Sequence, residues 1–66
     1  MSEATKLIVK GYLSLKHRGA LKDMRAHRQR LRKLLEDSKG GDVNVDPAIQ
    51  LFDEELGIIE AAIQRL

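Results

Sequence analysis

The stretch that decides the fold is DPAIQLFDEELGIIEAAIQRL, which occupies residues 46–66. Its main apolar residues recur at intervals of 3, 4, 3, 4 and 3 positions, and they are Ile49, Phe52, Leu56, Ile59, Ile63 and Leu66. An α-helix turns once every ~3.6 residues, so this spacing aligns them along one side of a helix. Pro47 suits a first helical turn, and Asp46 suits the N-cap before it. The sequence therefore predicts a helix over about residues 47–66.

A second helix is predicted upstream, over about residues 20–38. Its apolar stripe comprises Ala20, Leu21, Met24, Leu31, Leu34 and Leu35. Gly40 and Gly41 follow, and glycine commonly ends helices because it adopts left-handed backbone conformations without strain. The chain can reverse direction there, so we expect the two helices to pack as an antiparallel hairpin.

The distribution of charge favours this hairpin. Residues 1–39 contain 11 Lys and Arg against 4 Asp and Glu, whereas residues 40–66 contain 1 Arg against 6 Asp and Glu. A basic helix is thus followed by an acidic one. The antiparallel register predicts that Arg28 lies beside Glu55 and that Arg25 lies beside Glu60.

The first segment, about residues 4–17, permits two interpretations. As a helix, its apolar stripe is Ala4, Ile8, Tyr12 and Leu15, with Gly11 alongside. As a strand, its alternating apolar residues are Leu7, Val9, Leu13 and Leu15. We favour the helix, because the chain offers no second strand to pair with. The stripe of such a helix faces nearly opposite to that of residues 20–35, so we expect either a chain break near residues 16–19 or a different partner for this segment.

The size of the chain points to assembly with another molecule. A single domain of 66 residues buries a small core, and without Cys no disulfide reinforces it. The acidic helix is long enough to cover only residues 17–37, which leaves the apolar first segment uncovered. We therefore expect a dimeric helix bundle or a protein partner to cover it. The predicted contact residues are Leu7, Ile8, Tyr12 and Leu15.

The basic stretch of the second helix supplies an alternative interface. Helical geometry groups Arg18, Lys22, Arg25, Arg32 and Lys33 on one face. Such a stripe can follow a phosphate backbone, although no aromatic residue lies among the cations to stack on bases. The leading interpretation is a small non-enzymatic regulatory or adaptor protein that acts through protein–protein interaction, and the alternative is a dimeric nucleic-acid-binding protein.

The sequence gives little support to a catalytic, metal-binding or membrane function. No Cys nucleophile, no serine with a histidine at a telling spacing and no phosphate-binding loop is present, so we expect no enzyme, cofactor or small-molecule substrate. Asp42, Asn44 and Asp46 begin like a calcium loop, but Pro47 stands where glycine is required, so we expect no metal. No apolar run approaches the ~18 residues of a membrane span, and the acidic N-terminus is unlike a signal peptide. We expect a cytoplasmic protein.

Overall fold

Three helices make up the described part of the chain. The computed structural model describes the backbone of residues 2–66 and the side chains of residues 3–66. Helix α1 spans Ser2–Ser14, α2 spans Arg18–Asp37 and α3 spans Asp46–Gln64, with no strand among residues 2–66. The predicted all-α class is confirmed. The helical interpretation of the first segment is also confirmed, and the strand alternative is wrong.

A tight turn separates α1 from α2 at residues 15–17. The amide of His17 donates to the carbonyl of Tyr12 over 2.9 Å, and the amide of Lys16 donates to the carbonyl of Leu13 over 3.0 Å. This pair of bonds is the Schellman motif, whose turn residue normally is glycine. Here it is Lys16, with a φ of 55°. The predicted break before α2 is therefore confirmed.

Helices α2 and α3 run antiparallel. Three ion pairs link the two helices or the residues at their ends, and they join Arg28 to Glu55, Arg32 to Asp53 and Lys39 to Asp46. Residue numbers therefore rise along α2 as they fall along α3. The predicted proximity of Arg28 and Glu55 is confirmed by a hydrogen bond of 2.8 Å. Arg25 makes no ion pair with Glu60 among the described side chains.

The helix starts differ from the prediction in detail. Helix α3 begins at Asp46, and no side chain caps it. The Asp46 carboxylate instead lies 3.4 Å from Lys39 Nζ, so the predicted cap is wrong. The amide of Asp46 donates to Asn44 Oδ1 over 3.1 Å. Helix α2, for which no cap was predicted, has one: the amide of Ala20 donates to His17 Nδ1 over 3.1 Å.

The core lies where all three helices meet. Its buried residues are Val9, Leu21, Ile59, Ala62 and Ile63, and its half-buried neighbours are Tyr12, Leu13, Met24 and Ile58. Helix α1 thus packs on α2 and α3, and the expectation that the first segment lies beyond their reach is wrong. That expectation placed the first segment beyond the end of α3, along the axis of α2. The turn at Lys16 instead folds α1 back against α2 and α3.

Helix α1 is too short to cover the whole length of α2 and α3. Its 13 residues extend about 20 Å, whereas the 20 residues of α2 extend about 30 Å. A groove between α1 and α3 brings Lys6 and Leu13 together with Ile58 and Arg65, so α1 lies along the C-terminal part of α3. We call this three-helix region the proximal half. Residues 28–55, where α2 and α3 continue without α1, form the distal arm.

The molecule is accordingly elongated. Its dimensions are 42 × 19 × 14 Å, and its radius of gyration is 13.0 Å. A compact chain of this length would have a radius of gyration of about 11 Å. The difference reflects the distal arm, which projects beyond the core.

Candidate protein-binding face

Helix α1 carries apolar residues on two opposite sides. Its inner side faces the core with Thr5 and Val9, which are 5% and 4% exposed, and with the half-buried Tyr12 and Leu13. At about 100° per residue, a second apolar group falls on the opposite side of the same helix. This outer face comprises Ala4, Leu7, Ile8, Gly11 and Leu15.

The outer face is open to solvent along its length. Leu7 is 70% exposed, Ile8 is 47% exposed and Leu15, just beyond the last turn, is 74% exposed. Ala4 and Gly11 are also exposed. From Ala4 to Leu15 the face extends about 17 Å, or roughly three helical turns. Scattered single leucines on a surface are ordinary, but a contiguous apolar stripe of this length is a candidate interaction surface.

Three of the four contact residues predicted from the sequence lie on this face, namely Leu7, Ile8 and Leu15. Tyr12 does not, because it packs against the core and its ring lies 5.8 Å from that of His17 in an edge-on arrangement. The stripe predicted from the sequence included Tyr12 and placed Gly11 only alongside it, whereas Gly11 lies on the outer face. The spacing of Ala4, Ile8, Gly11 and Leu15, at 4, 3 and 4 positions, already contained the correct stripe.

Gly11 gives the middle of the outer face a smooth surface. A Cβ atom built on it would meet no atom within 4 Å, so nothing inside the molecule requires glycine at this position. A glycine inside a helix costs about 0.5–1 kcal/mol relative to alanine. Its compensation would be the close approach of another backbone, as small residues allow at helix–helix contacts.

Cations border the apolar faces of α1 on its α3 side. Lys6, Lys10 and Arg65 line an open groove of about 390 Å³ whose floor includes Val9, Leu13 and Ile58. Lys6 lies 3.6 Å from Glu3, one turn earlier on the same helix. Lys10 makes no ion pair among the described side chains, so the border of the outer face retains positive charge.

The five residues of the predicted basic face of α2 do not share one environment in the structure. Arg18, Lys22 and Lys33 are exposed, and Arg25 is half-buried. Arg32 instead reaches α3, where it bonds to Asp53, and it also lies 3.1 Å from Glu36. The hydrogen bond to Asp53 raises the pKa of Arg32 above its ordinary value, and the charges of Asp53 and Glu36 add to this.

One exposed cation of α2 does not belong to the predicted basic stripe. Arg30 is exposed, lies outside the predicted stripe, and makes no ion pair among residues 3–66. Its position about 60° beyond Lys33 on the helix could have been read from the sequence. Its acidic counterpart one heptad later, Asp37, is likewise exposed and unpaired among these residues.

The polar residues of the α2–α3 loop stabilise the start of α3. Asn44 accepts a hydrogen bond from the Asp46 amide, and the Asp46 carboxylate pairs with Lys39. Both residues therefore take part in contacts at the start of α3. No group of three or more potential metal ligands occurs among the described residues. Within the same residues, no helix has both the length and the hydropathy to cross a membrane.

The outer face of α1 thus holds three of the six exposed large apolar side chains of the described residues, namely Leu7, Ile8 and Leu15. Comparison of the chain with protein-family models, with curated proteins and with solved structures finds no significant match.

Proposed function

We propose that this protein is a small, non-enzymatic adaptor or regulator that binds another protein through the outer face of α1. The observation that carries the proposal is the pair of apolar sides on one short helix. The inner side already supplies the core with Val9, so the outer side is not needed to hold α1 in place. Leu7 and Leu15 remain about three-quarters exposed at the two ends of that side.

The shape and charge of the face indicate the kind of partner. Its stripe of about three turns matches a helix whose apolar residues recur at intervals of three and four. Gly11 would allow the two helix backbones to approach closely. Lys10 at the border favours a partner with acidic residues beside its apolar stripe. An amphipathic helix with an acidic edge combines these properties.

The proposal is tested by tagging the full chain and comparing the proteins that co-purify with three forms. The forms are the unaltered protein, Leu7→Asp and, as a control, Val43→Asp. Val43 is 75% exposed in the loop between α2 and α3, so the control introduces the same charge on a similarly open apolar side chain away from α1. We expect a specific partner to be lost from Leu7→Asp and retained by Val43→Asp.

Circular dichroism should show that both variants keep their helices, because Leu7 and Val43 are both largely exposed. Ile8→Asp provides a second substitution on the same face. If the co-purifying proteins are unchanged by both α1 substitutions, the outer face is not the binding surface and the proposal fails.

The second candidate function is nucleic-acid binding through α2. It is favoured by the exposed, unpaired cations Arg18, Lys22, Arg30 and Lys33 on that helix. Contacts to phosphates would release counterions, so binding would weaken steeply with salt. Fluorescence anisotropy with duplex DNA and single-stranded RNA at low and near-physiological salt tests it. Absence of binding at low salt would mean that these cations form a solvated helix face.

A dimeric helix bundle is part of the same proposal. The chain offers a second apolar surface, on the distal arm, that is separate from the outer face of α1. A second copy on the arm would leave both outer faces free for partners.

A further inference from the structure

In the distal arm, no described residue occupies the position that α1 holds in the proximal half. In the proximal half, α1 fills the groove between α2 and α3. Helices α2 and α3 continue into the arm, whereas α1 begins at Ser2 and its residues lie level with α3 residues about 52 positions later. The start of α1 therefore lies level with Glu54 and Glu55. Beyond that level the third-helix position is not filled by any described residue.

The consequence is visible in the burial of the arm. Among its apolar residues only Ile49 is buried, at 6% exposed. Leu31, Leu35, Leu51 and Phe52 are half-buried. Leu34 is 63% exposed and, at about 100° per residue, lies about 60° from Leu31 around α2. The arm thus presents an apolar surface that continues the side of α2 and α3 on which α1 packs in the proximal half.

The charges along α2 indicate which molecule covers this surface. Leu31 and Leu34 occupy successive positions of a 3–4 repeat, and Arg30 and Asp37 flank them on one side, seven residues apart. Both flanking residues are exposed and make no ion pair among the described side chains. In an antiparallel helix pair, flanking residues of the same type face each other, so this arrangement is complementary to itself.

We infer that the distal arm binds the distal arm of a second copy of this chain, with α2 antiparallel to α2 about a two-fold axis near Leu34. Arg30 then lies opposite the partner's Asp37, and Asp37 lies opposite the partner's Arg30, as a two-fold axis requires. Leu31 and Leu34 pack at the centre. The two arms form a four-helix bundle, and the two copies of α1 lie at its opposite ends.

This inference deepens the dimer of the proposed function and rests on it for the existence of a dimer. It does not involve the outer face of α1. The shared surface is about 15 Å long, from Arg28 to Ser38, so we expect a dimer of micromolar rather than nanomolar affinity.

The test uses sedimentation equilibrium on the full chain, from about 5 to 500 μM, a range centred on micromolar affinity. Arg30→Glu places two like-charge contacts in the dimer, and Asp37→Lys does the same with opposite sign. Each is expected to raise the dimer dissociation constant about tenfold. The double substitution Arg30→Glu with Asp37→Lys restores both pairs, so its dissociation constant should return to within about threefold of the original.

The matched control is Lys33→Glu, which makes the same charge change one turn away on the outer side of α2 and should leave the dissociation constant nearly unchanged. Leu34→Asp should abolish the dimer. Three outcomes overturn the inference: a monomer at every concentration, equal weakening by Arg30→Glu and Lys33→Glu, or a double substitution that fails to restore association. A dimer broken by Leu7→Asp and unaffected by Leu34→Asp would keep the proposed dimer but move its interface to α1.

Discussion

The two ends of this molecule are built from the same two helices but differ in what covers them. In the proximal half, α1 closes the groove, and Leu21 and Ile59 become fully buried. In the distal arm, leucines at equivalent positions of the same repeat remain half-buried or exposed. The amphipathic pattern is similar in both regions. The lower exposure in the proximal half therefore reflects the cover that α1 adds there, while α2 and α3 alone bury one apolar residue of the arm, Ile49.

The boundary between the regions is occupied by an ion pair. Glu55 and Arg28 have side chains that are 11% and 21% exposed, and they meet at the level where α1 begins. An apolar pair at this position would extend one featureless groove along both regions. A charged pair interrupts it, and it favours the one register of α2 on α3 in which both charges are satisfied.

The largest expected effect contrasts equivalent leucines in the two regions. Leu21→Ala removes a fully buried side chain, so we expect it to lower the free energy of unfolding by about 3 kcal/mol. Leu35→Ala removes a half-buried side chain from the arm, and we expect a loss of about 1 kcal/mol. Urea unfolding followed by circular dichroism, at low micromolar protein concentration, measures both.

Equal losses for the two substitutions would contradict this contrast, because the arm would then be as well covered as the core. Repeating the Leu35→Ala measurement at high protein concentration sharpens the result. If a second copy covers the arm, the cost of this substitution should grow with concentration, while that of Leu21→Ala should stay the same.

The next effect concerns the boundary itself. Glu55→Gln keeps the shape of the side chain but leaves Arg28 without its counter-charge in a largely buried position, so we expect a loss of about 2 kcal/mol. Asp53→Asn is the matched control. Asp53 is 52% exposed in its pair with Arg32, and solvent should limit the loss to less than about 1 kcal/mol. Thermal unfolding of the two amide variants distinguishes them, and a similar loss for both would mean that burial does not strengthen the inner pair.

The sequence predicted the helices better than their arrangement. The 3–4 spacing along residues 49–66 and the Gly40–Gly41 break were sufficient to locate α2 and α3 within two residues at each end. The antiparallel register of the two apolar stripes was sufficient to predict the contact between Arg28 and Glu55. These features depend on local periodicity and on pairwise complementarity, which a single sequence displays directly.

The packing of α1 against α2 and α3 was not predicted, because it depends on one unusual backbone conformation. Lys16 adopts a left-handed φ that favours glycine, and no pattern of polar and apolar residues reveals this. The inner residue Val9 and the outer residue Ile8 are adjacent and equally apolar. Which of them faces the core depends on the direction in which the chain turns, and the predicted contact residues therefore included Tyr12, which packs against the core.

The smallest effect tests this turn, on which the difference between the two regions depends. Lys16→Gly removes the cost of a side chain at a φ of 55°, partly offset by the greater freedom of glycine in the unfolded chain, so we expect a gain of about 0.5–1 kcal/mol in the free energy of unfolding. Gly40→Ala is the opposite change at the other turn, where φ is 98°, and we expect a loss of about 1 kcal/mol. Because Lys16 holds α1 against the core, amide hydrogen exchange in α1 should slow in Lys16→Gly, with little change in the tip of the distal arm. A stabilisation spread evenly over both regions would mean that they unfold as one cooperative unit, and that the arm, although less covered, depends on α1 as much as the core does.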